Sequence, residues 1–281
     1  MPSPPSIVLT IAGFDPSSGA GVTADIKTIA AHGCYGVACI TALTVQSTSG
    51  VRRVEPLSPS FITETLEELT SDLEIAAVRI GMLGSRAVVK AVAEFVHHRG
   101  LPNVVLDPIL KSSSGARLLE DGGPAILLEK LLPLASVVTP NREEASALTS
   151  LPVTNLEEMR AAARKLHAMG AAAVVVTGGD LQKATDLLSF TNKRGVQQEV
   201  FKSDRQASNS THGTGCAFAT AMACHLAQDR GLPEAVLLAK AYVSAAIAKA
   251  HSVGRGIGPV HHLYRMYEQR RVVIADPESV N

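Results

Sequence analysis

Short apolar runs rich in β-branched residues alternate along the chain with longer segments of helical periodicity, as where "AAAVVV" follows "EEMRAAARKLHAMG". This alternation predicts βαβ units and a mainly parallel sheet with helices on both faces. Strands are predicted at 7–11, 37–42, 77–80, 104–107, 137–139 and 173–176. The 281 residues allow one large α/β domain or two small ones. Because no stretch rich in Pro, Gly or Ser divides the chain and no period repeats, we expect a single domain over residues 1–281.

Two segments carry more local signals. Thr154 with Glu157 predicts a capping box, and Gly170 is predicted to end the helix whose apolar positions are Leu156, Met159, Ala163, Leu166 and Met169. Between residues 186 and 204 the rhythm changes, since "DLLSF" and "VQQEVF" flank "TNKRG". This pattern predicts an antiparallel hairpin late in the chain.

Charge and cysteine usage limit the partners and the compartment. The 26 basic and 26 acidic residues balance, so no broad cationic field favours nucleic acid or an anionic membrane surface. The four cysteines form no C-x-x-C pair and are interpreted as reduced thiols. "MPSPPS" lacks the features of a signal peptide, and no apolar run is long enough to span a bilayer. We therefore expect a cytoplasmic protein whose partners are small molecules or a second copy of itself.

The stretch "HGTGCAFATAMA" places Gly213, Thr214, Gly215 and Cys216 at the start of a helix of small residues. Free backbone N–H groups and the helix dipole make such a start a candidate anion hole for a phosphate or a transferring phosphoryl group. The plainer alternative is a glycine-rich turn with Thr214 as the N-cap. A helix start lowers the pKa of a thiol, so Cys216 is expected to be a partly ionised thiolate, although a lone cysteine also serves as a small buried residue. Neither a G-x-x-x-x-G-K-[ST] loop nor a strand followed by G-x-G-x-x-G is present, so a kinase would need this hole and a metal ion to hold phosphates.

Several ordered stretches together carry a family resemblance: "IAGFDPSSGAGVTADIKTIAAHGCYG", "ITALTVQSTSGV", "RIGMLGS", "VLDPIL", "VVTPNREEASAL", "TGGDL", "HGTGC" and "GRGIGPVHH". The chain resembles the hydroxymethylpyrimidine and hydroxymethylpyrimidine phosphate kinases of thiamine biosynthesis, within the ribokinase-like superfamily. The resemblance implies an α/β fold, a three-layer α/β/α sandwich with a mainly parallel central sheet, and a homodimer. It also implies transfer of the γ-phosphoryl group of ATP, with Mg²⁺, to 4-amino-5-hydroxymethyl-2-methylpyrimidine and then to its monophosphate.

On the acceptor side, the resemblance places a substrate turn at Asp15, with the Ala20 backbone and Asp25 near the substrate hydroxyl. From the residues alone this stretch is an Asp-Pro turn followed by an ordinary helix. Gln46 matches the family's pyrimidine reader, because an amide pairs with a ring nitrogen beside an exocyclic amine; without the family it would be a solvated glutamine. The resemblance adds ring and backbone contacts from Met82 and Ile109, although a methionine after a strand is more often core.

On the nucleotide side, the resemblance makes Gly213, Thr214 and Gly215 the anion hole and Cys216 the base, where sugar kinases of this fold carry an aspartate. Asp107 and Glu144 match its Mg²⁺ region, and hard oxygen ligands suit that ion; helix capping by Asn141 is the alternative. Nucleotide contacts are implied for Thr177, Gly178 and Gly179.

The match has two departures: "TGGD" stands where the family commonly has "KGGH", and "KSSSG" where it has "AKSG". A phosphate-side lysine is therefore expected to be absent. Lys111, Mg²⁺ or a monovalent cation would then compensate the charge. The adjacent pairs formed by His97 with His98 and by His261 with His262 lack zinc-motif spacing and are interpreted as solvent-facing or loop histidines.

Three alternatives stay open. A pyridoxal or pyridoxine kinase is the nearest, and Gln46 favours an aminopyrimidine over it. A sugar kinase is less favoured, because this sequence lacks the cluster of polar residues expected to bind several sugar hydroxyls. A catalytically silent binding protein of the same fold is the third.

Overall fold

Nine strands form one sheet in the computed structural model, which describes residues 4–179, 181–206 and 208–266. The strand order is β3-β2-β1-β4-β5-β6-β7-β8-β9. Strands β2-β1-β4-β5-β6-β7 pair in parallel, while β3, β8 and β9 add antiparallel neighbours at the two ends. The strands are β1 Ile7–Phe14, β2 Tyr35–Ser47, β3 Gly50–Pro56, β4 Ile75–Ile80, β5 Val104–Leu106, β6 Val137–Val138, β7 Ala173–Val176, β8 Ala184–Asn192 and β9 Gly195–Ser203.

Helices cover both faces of this sheet. They are α1 Gly21–Ala31, α2 Pro59–Asp72, α3 Arg86–Arg99, α4 Gly123–Ile126, α5 Arg142–Thr149, α6 Leu156–Ala168, α7 Thr214–Ala227 and α8 Leu232–Ala248. Successive strand residues point to opposite faces, so Leu9 packs in the core with α2, α3, α5 and α6, and Val8 packs in the core with α1, α7 and α8. The predicted three-layer α/β/α sandwich with a mainly parallel central sheet is confirmed.

The predicted late hairpin is confirmed as β8 and β9, which pair antiparallel around a turn between Asn192 and Gly195. An earlier hairpin was not predicted. Strand β2 runs on to Ser47 and pairs antiparallel with β3. The sequence signal stops at residue 42 because this extension carries polar side chains toward the sheet end and is only half-buried.

The capping box predicted at Thr154 and Glu157 is wrong by one residue. The N-cap of α6 is Asn155, whose side chain accepts a hydrogen bond from the Glu158 N–H at 3.0 Å. Thr154 instead donates its backbone N–H to the Glu158 carboxylate at 2.6 Å. The chain leaves the helix at Gly170, whose φ of 109° is in the region that glycine adopts readily, as predicted.

Within the residues that the structure describes, no helix combines the length and the apolar character needed to cross a bilayer.

Candidate active site

The predicted site residues follow consecutive strands at one edge of the sheet. Asp15 comes directly after β1, Met82 follows β4, Asp107 follows β5 and Asn141 follows β6. The carboxyl ends of parallel strands in this architecture line the crevice in which ligands bind. The fold therefore gathers side chains that are far apart in sequence.

The start of α7 is built around a left-handed glycine. Gly213 is the N-cap with φ 80°, and a Cβ there would lie 1.9 Å from the Gly19 carbonyl oxygen, so only glycine fits. The alternative of Thr214 as the N-cap is wrong; its hydroxyl donates to the Thr211 carbonyl at 2.7 Å. Gly215 is exposed, with open space where a side chain would project. The helix start thus presents backbone N–H groups to an accessible surface and lies against the substrate turn.

Asp15 organises that substrate turn. Its Oδ2 accepts hydrogen bonds from the Ala20 N–H at 2.9 Å and from His212 Nε2 at 2.9 Å, and its Oδ1 accepts from Ser17. Burial opposes ionisation of Asp15, but the His212 and Ser17 hydrogen bonds outweigh it and lower the pKa of the carboxyl. His212 directly precedes Gly213, so one contact joins the substrate turn to the candidate anion hole.

His212 also contacts the candidate pyrimidine reader. Gln46 Nε2 lies 3.2 Å from His212 Nε2, and Ser113 Oγ lies 3.2 Å from His212 Nδ1. Together with residues 47–51, 112, 114, 256 and 257 these side chains line a cavity of about 120 Å³. Sequence reasoning assigned no role to His212 or Ser113; the position of His212 just before "GTGC" was the available signal.

Met82 and Ile109 belong to one small apolar cluster with Val51, which lines this cavity. Met82 is buried with Ala42 and Leu118, and the half-buried Ile109 packs on them. Gly13 leaves room for the thioether, since a Cβ there would lie 2.8 Å from the Met82 sulfur. These apolar side chains therefore lie next to one residue of the cavity wall, and their contact with a substrate ring stays a prediction.

Asp25 lies deeper than predicted. Its side chain is 0 % exposed, and its oxygens accept hydrogen bonds from Thr10, Thr220 and Arg79 at 2.6, 2.7 and 3.1 Å. These donors occupy the carboxylate, so Asp25 supports the site from behind and has no surface on which to meet a substrate hydroxyl.

Arg79 is another residue that sequence reasoning missed. Its guanidinium is fully buried and donates to Asp25 and, at 2.5 Å, to Asp107. Gly81 makes this possible, because a Cβ there would lie 1.9 Å from Nη1 of Arg79. Burial alone would lower the pKa of Arg79, but Asp25, Cys216 and Asp107 raise it above its ordinary value. A fixed positive charge therefore lies beside Cys216.

The predicted partly ionised Cys216 is wrong. Burial raises the pKa of this thiol to about 11, with Asp107 and Asp25 adding to the rise and Arg79 opposing it. The helix-start effect that the sequence suggested is outweighed because the Sγ is buried beside two carboxylates. Cys216 is therefore a neutral thiol at physiological pH.

Asp107 and Glu144 fit a divalent cation. Both are buried, and burial raises the pKa of each, Glu144 to about 8, with Asp107 contributing by charge repulsion. A cation between them would relieve that repulsion, and Mg²⁺ is commonly held by one or two carboxylates plus phosphate oxygens. Glu144 also forms the capping box with Asn141, so the capping alternative is present as well. Among the described residues no group of three or more His, Cys, Asp or Glu side chains is arranged to hold a metal.

The nucleotide segment follows β7. Thr177 donates its N–H to the Pro140 carbonyl at 2.9 Å, and the Gly178 N–H donates to Asp186 at 3.0 Å. Asp186 forms a buried ion pair with Lys240 of α8 at 2.8 Å. Gly179 is exposed. This pair holds the segment in place, and no sequence signal predicted it.

The remaining basic side chains differ in exposure, and the charge compensation predicted for Lys111 stays a prediction. Lys111 is exposed, as are His97 and His98 at the end of α3. His261 is half-buried in a loop. His262 is buried at 3 % exposure, and burial lowers its pKa to about 3, so it is not solvent-facing.

The three-layer fold is that of ribokinase-like kinases of known structure, and the candidate anion hole and the two buried carboxylates lie at the end of the sheet where this class of enzyme binds its ligands. The sequence model of the family described as phosphomethylpyrimidine kinase matches residues 15–261. The chain belongs to the phosphomethylpyrimidine kinase family.

Individual relatives agree with this membership. The hydroxymethylpyrimidine/phosphomethylpyrimidine kinase of Salmonella typhimurium is 43 % identical over 91 % of this chain and 97 % of its own length. The thiamine biosynthesis bifunctional protein ThiED of Geobacter sulfurreducens is 42 % identical over 93 % of this chain, which spans only 53 % of that relative. The pyridoxal kinase of Staphylococcus aureus, solved with AMP-PCP and pyridoxal, shares the fold with a TM-score of 0.82 and 32 % identity over 92 % of this chain and 94 % of that one.

Proposed function

We propose that the chain transfers the γ-phosphoryl group of ATP to 4-amino-5-hydroxymethyl-2-methylpyrimidine, and then phosphorylates the monophosphate to the diphosphate used in thiamine biosynthesis. Family membership and the names of the relatives support this function. The observation that carries it is the contact between Gln46 and His212, residues 166 positions apart, because it brings the candidate pyrimidine reader beside the candidate anion hole. One ligand can therefore touch both.

Gln46 would read the aminopyrimidine edge. The Thr44 hydroxyl donates to the Phe14 carbonyl at 2.9 Å and lies 3.2 Å from the Gln46 amide. Because the Thr44 hydroxyl proton is used in the bond to Phe14, this hydroxyl is best placed to accept from the N–H₂ group of Gln46. The amide oxygen of Gln46 then points toward His212, an orientation assigned from the hydrogen-bond network. Met82 and Ile109 would hold the flat ring, and the Ala20 backbone would contact the substrate.

Transfer would take place at the start of α7. The backbone N–H groups of Gly213, Thr214, Gly215 and Cys216 would stabilise the charge on the phosphoryl oxygens. Asp107 and Glu144 would hold Mg²⁺, which supplies charge compensation for the phosphates. Cys216 would accept the hydroxyl proton, which requires prior loss of its own.

ATP would lie against Thr177, Gly178 and Gly179, whose segment is fixed by Asp186. The pyridoxal kinase of Staphylococcus aureus, solved with AMP-PCP, supports the use of ATP. A monovalent cation is proposed as an additional source of positive charge.

The protein is further proposed to be cytoplasmic and homodimeric. The four cysteines are unpaired, which suits a reducing compartment. Tyr35, Leu43 and Val45 leave large apolar side chains exposed on β2, and a second copy of the chain would cover them. Light scattering at several protein concentrations tests the dimer.

A mass-resolved product assay tests the function. MgATP is supplied with the hydroxymethyl aminopyrimidine, and in parallel with pyridoxal and with pyridoxine. Successive mono- and diphosphorylated pyrimidine is expected. Phosphorylation of pyridoxal alone would indicate a pyridoxal kinase, the activity named for the Staphylococcus aureus structure. Ligand-induced thermal stabilisation without product would indicate a silent binding protein.

The substitution Gln46→Leu tests the role of Gln46 in the same assay. Loss of two hydrogen bonds to the ring is expected to lower kcat/KM for the pyrimidine by about ten- to a hundredfold. Gln197→Leu on the distant strand β9 is the matched control and should leave kcat/KM unchanged. Equal effects of the two substitutions would contradict the assignment of Gln46.

A further inference from the structure

Four buried side chains form a continuous series of hydrogen bonds across the molecule. The Thr220 hydroxyl donates to Asp25 Oδ1 at 2.7 Å, Arg79 Nη1 donates to Asp25 Oδ2 at 3.1 Å, and Arg79 Nη2 donates to Asp107 Oδ2 at 2.5 Å. Thr220 lies on α7, one turn beyond Cys216. The series therefore joins the helix of the candidate anion hole to the strand end of the candidate magnesium ligand.

Stability does not account for this series. A buried ion pair costs desolvation free energy, and a well-packed apolar side chain of similar volume serves the core at least as well. Here one guanidinium serves two carboxylates that are 0 % and 6 % exposed at their side chains. Gly81 must also lack a side chain to admit it. Both Arg79 and the absence of a side chain at Gly81 are thus needed to place one buried cation.

The geometry requires an arginine. The guanidinium is planar and presents donors in a rigid fork, so its two terminal nitrogens can fix two carboxylates at a set separation. A lysine at the same position would bring one point charge on a flexible stem and would hold only one of them firmly.

We propose that Arg79 is a positioning residue for phosphoryl transfer: it fixes Asp107 relative to α7, and so sets the magnesium-side carboxylate against the anion hole and Cys216. This role rests on the proposed function, in which Asp107 holds Mg²⁺. Phosphoryl transfer depends mainly on such placement of charges.

The first test measures metal binding without turnover. Mn²⁺ replaces Mg²⁺, and its binding in the presence of a non-hydrolysable ATP analogue is followed by electron paramagnetic resonance for the wild type and Arg79→Lys. Displacing the partner of a metal ligand is expected to weaken Mn²⁺ binding by about ten- to a hundredfold. Arg53→Lys changes an exposed arginine of β3 and should bind Mn²⁺ as the wild type does. Wild-type Mn²⁺ affinity in folded Arg79→Lys would overturn the proposal.

The second test uses a matched pair that stays decisive even if Arg79→Lys does not fold. Thr10 and Thr220 each donate one buried hydroxyl hydrogen bond to Asp25, but only Thr220 lies on α7. Thr220→Val is expected to lower kcat by about tenfold, and clearly more than Thr10→Val does, with little change in the KM for the pyrimidine, because only Thr220 connects Asp25 to α7. A purely structural role predicts equal losses from the two substitutions, and equal losses would overturn the proposal.

The two tests also separate this inference from the proposed function. If the wild type phosphorylates no pyrimidine, that function fails, yet the Mn²⁺ measurement needs no acceptor and still decides the role of Arg79.

Discussion

The ionisation of Cys216 makes the most direct prediction about the chemistry. With a pKa of about 11, about one thiol in a thousand is ionised at pH 8. If the thiolate is the proton acceptor, its fraction limits the rate, and kcat rises by up to about tenfold per pH unit below the pKa of the thiol, which Mg²⁺ at Asp107 would lower from its metal-free value. A base is active in its deprotonated form, so the rise levels off only as the pH approaches the pKa of Cys216.

The assay is kcat at saturating MgATP and pyrimidine, with Cys216→Ala and Cys216→Asp beside the wild type. Cys216→Ala is expected to bind the pyrimidine but to lose about 10²- to 10⁴-fold in kcat. Cys216→Asp introduces a group that ionises at lower pH, so its profile should be flatter over the same range. Cys224→Ala removes another buried thiol of α7 and serves as the control. A flat wild-type profile from pH 7 to pH 9, or near-normal turnover by Cys216→Ala, would refute the assignment.

Three further predictions concern stability. Burial lowers the pKa of His225 to about 4 from an ordinary value of about 6.5, so between these pH values the folded state binds fewer protons than the unfolded state. The thermal midpoint should therefore fall as the pH drops from 6.5 toward 4, and it should fall less steeply in His225→Phe. Gly81→Ala should lower the free energy of unfolding by about 1–3 kcal/mol in denaturant titration, because the added Cβ would meet the Arg79 guanidinium. Gly179→Ala, where the added Cβ would project into open space, should leave that free energy unchanged. Asn155→Ala removes the N-cap of α6 and should cost about 1 kcal/mol; a smaller cost than that of Thr154→Ala would contradict the observed cap.

The fold was largely predictable because its signals are local. Buried parallel strands are continuous apolar runs, and these gave β1, β4, β5, β6 and β7 near their observed positions. The extension of β2 and its pairing with β3 escaped because both segments are largely exposed at the end of the sheet, where pairing with a neighbour decides the conformation. Asn155 and Thr154 are both good capping residues, so the choice between them depends on which N–H the helix leaves free.

The site was predictable in position and less so in chemistry. The strand-end rule and the motifs placed Asp15, Gln46 and Asp107 at one edge of the sheet. Whether a group is charged depends on burial and on neighbours distant in sequence, and Cys216 shows the consequence: its helix start was visible, whereas Asp25 and Asp107 beside it were not. Arg79 escaped because an arginine inside an apolar strand gives no sign of the carboxylates that it will meet.

The family's lysine is absent at "TGGD", so the other cations of the protein decide how the phosphate charge can be compensated. Arg79 is already held by Asp25 and Asp107, and Lys240 by Asp186, so the charge of each is neutralised before a nucleotide arrives. Lys27 donates to the Ser18 carbonyl of the substrate turn at 2.5 Å. If these side chains hold the framework, the exposed Lys111, the backbone N–H groups of α7 and metal ions at Asp107 and Glu144 are left to stabilise the phosphates. Activity should then depend steeply on the concentration of Mg²⁺, and a lysine introduced at Thr177 should reduce that dependence; an unchanged Mg²⁺ requirement in Thr177→Lys would show that the charge is compensated elsewhere.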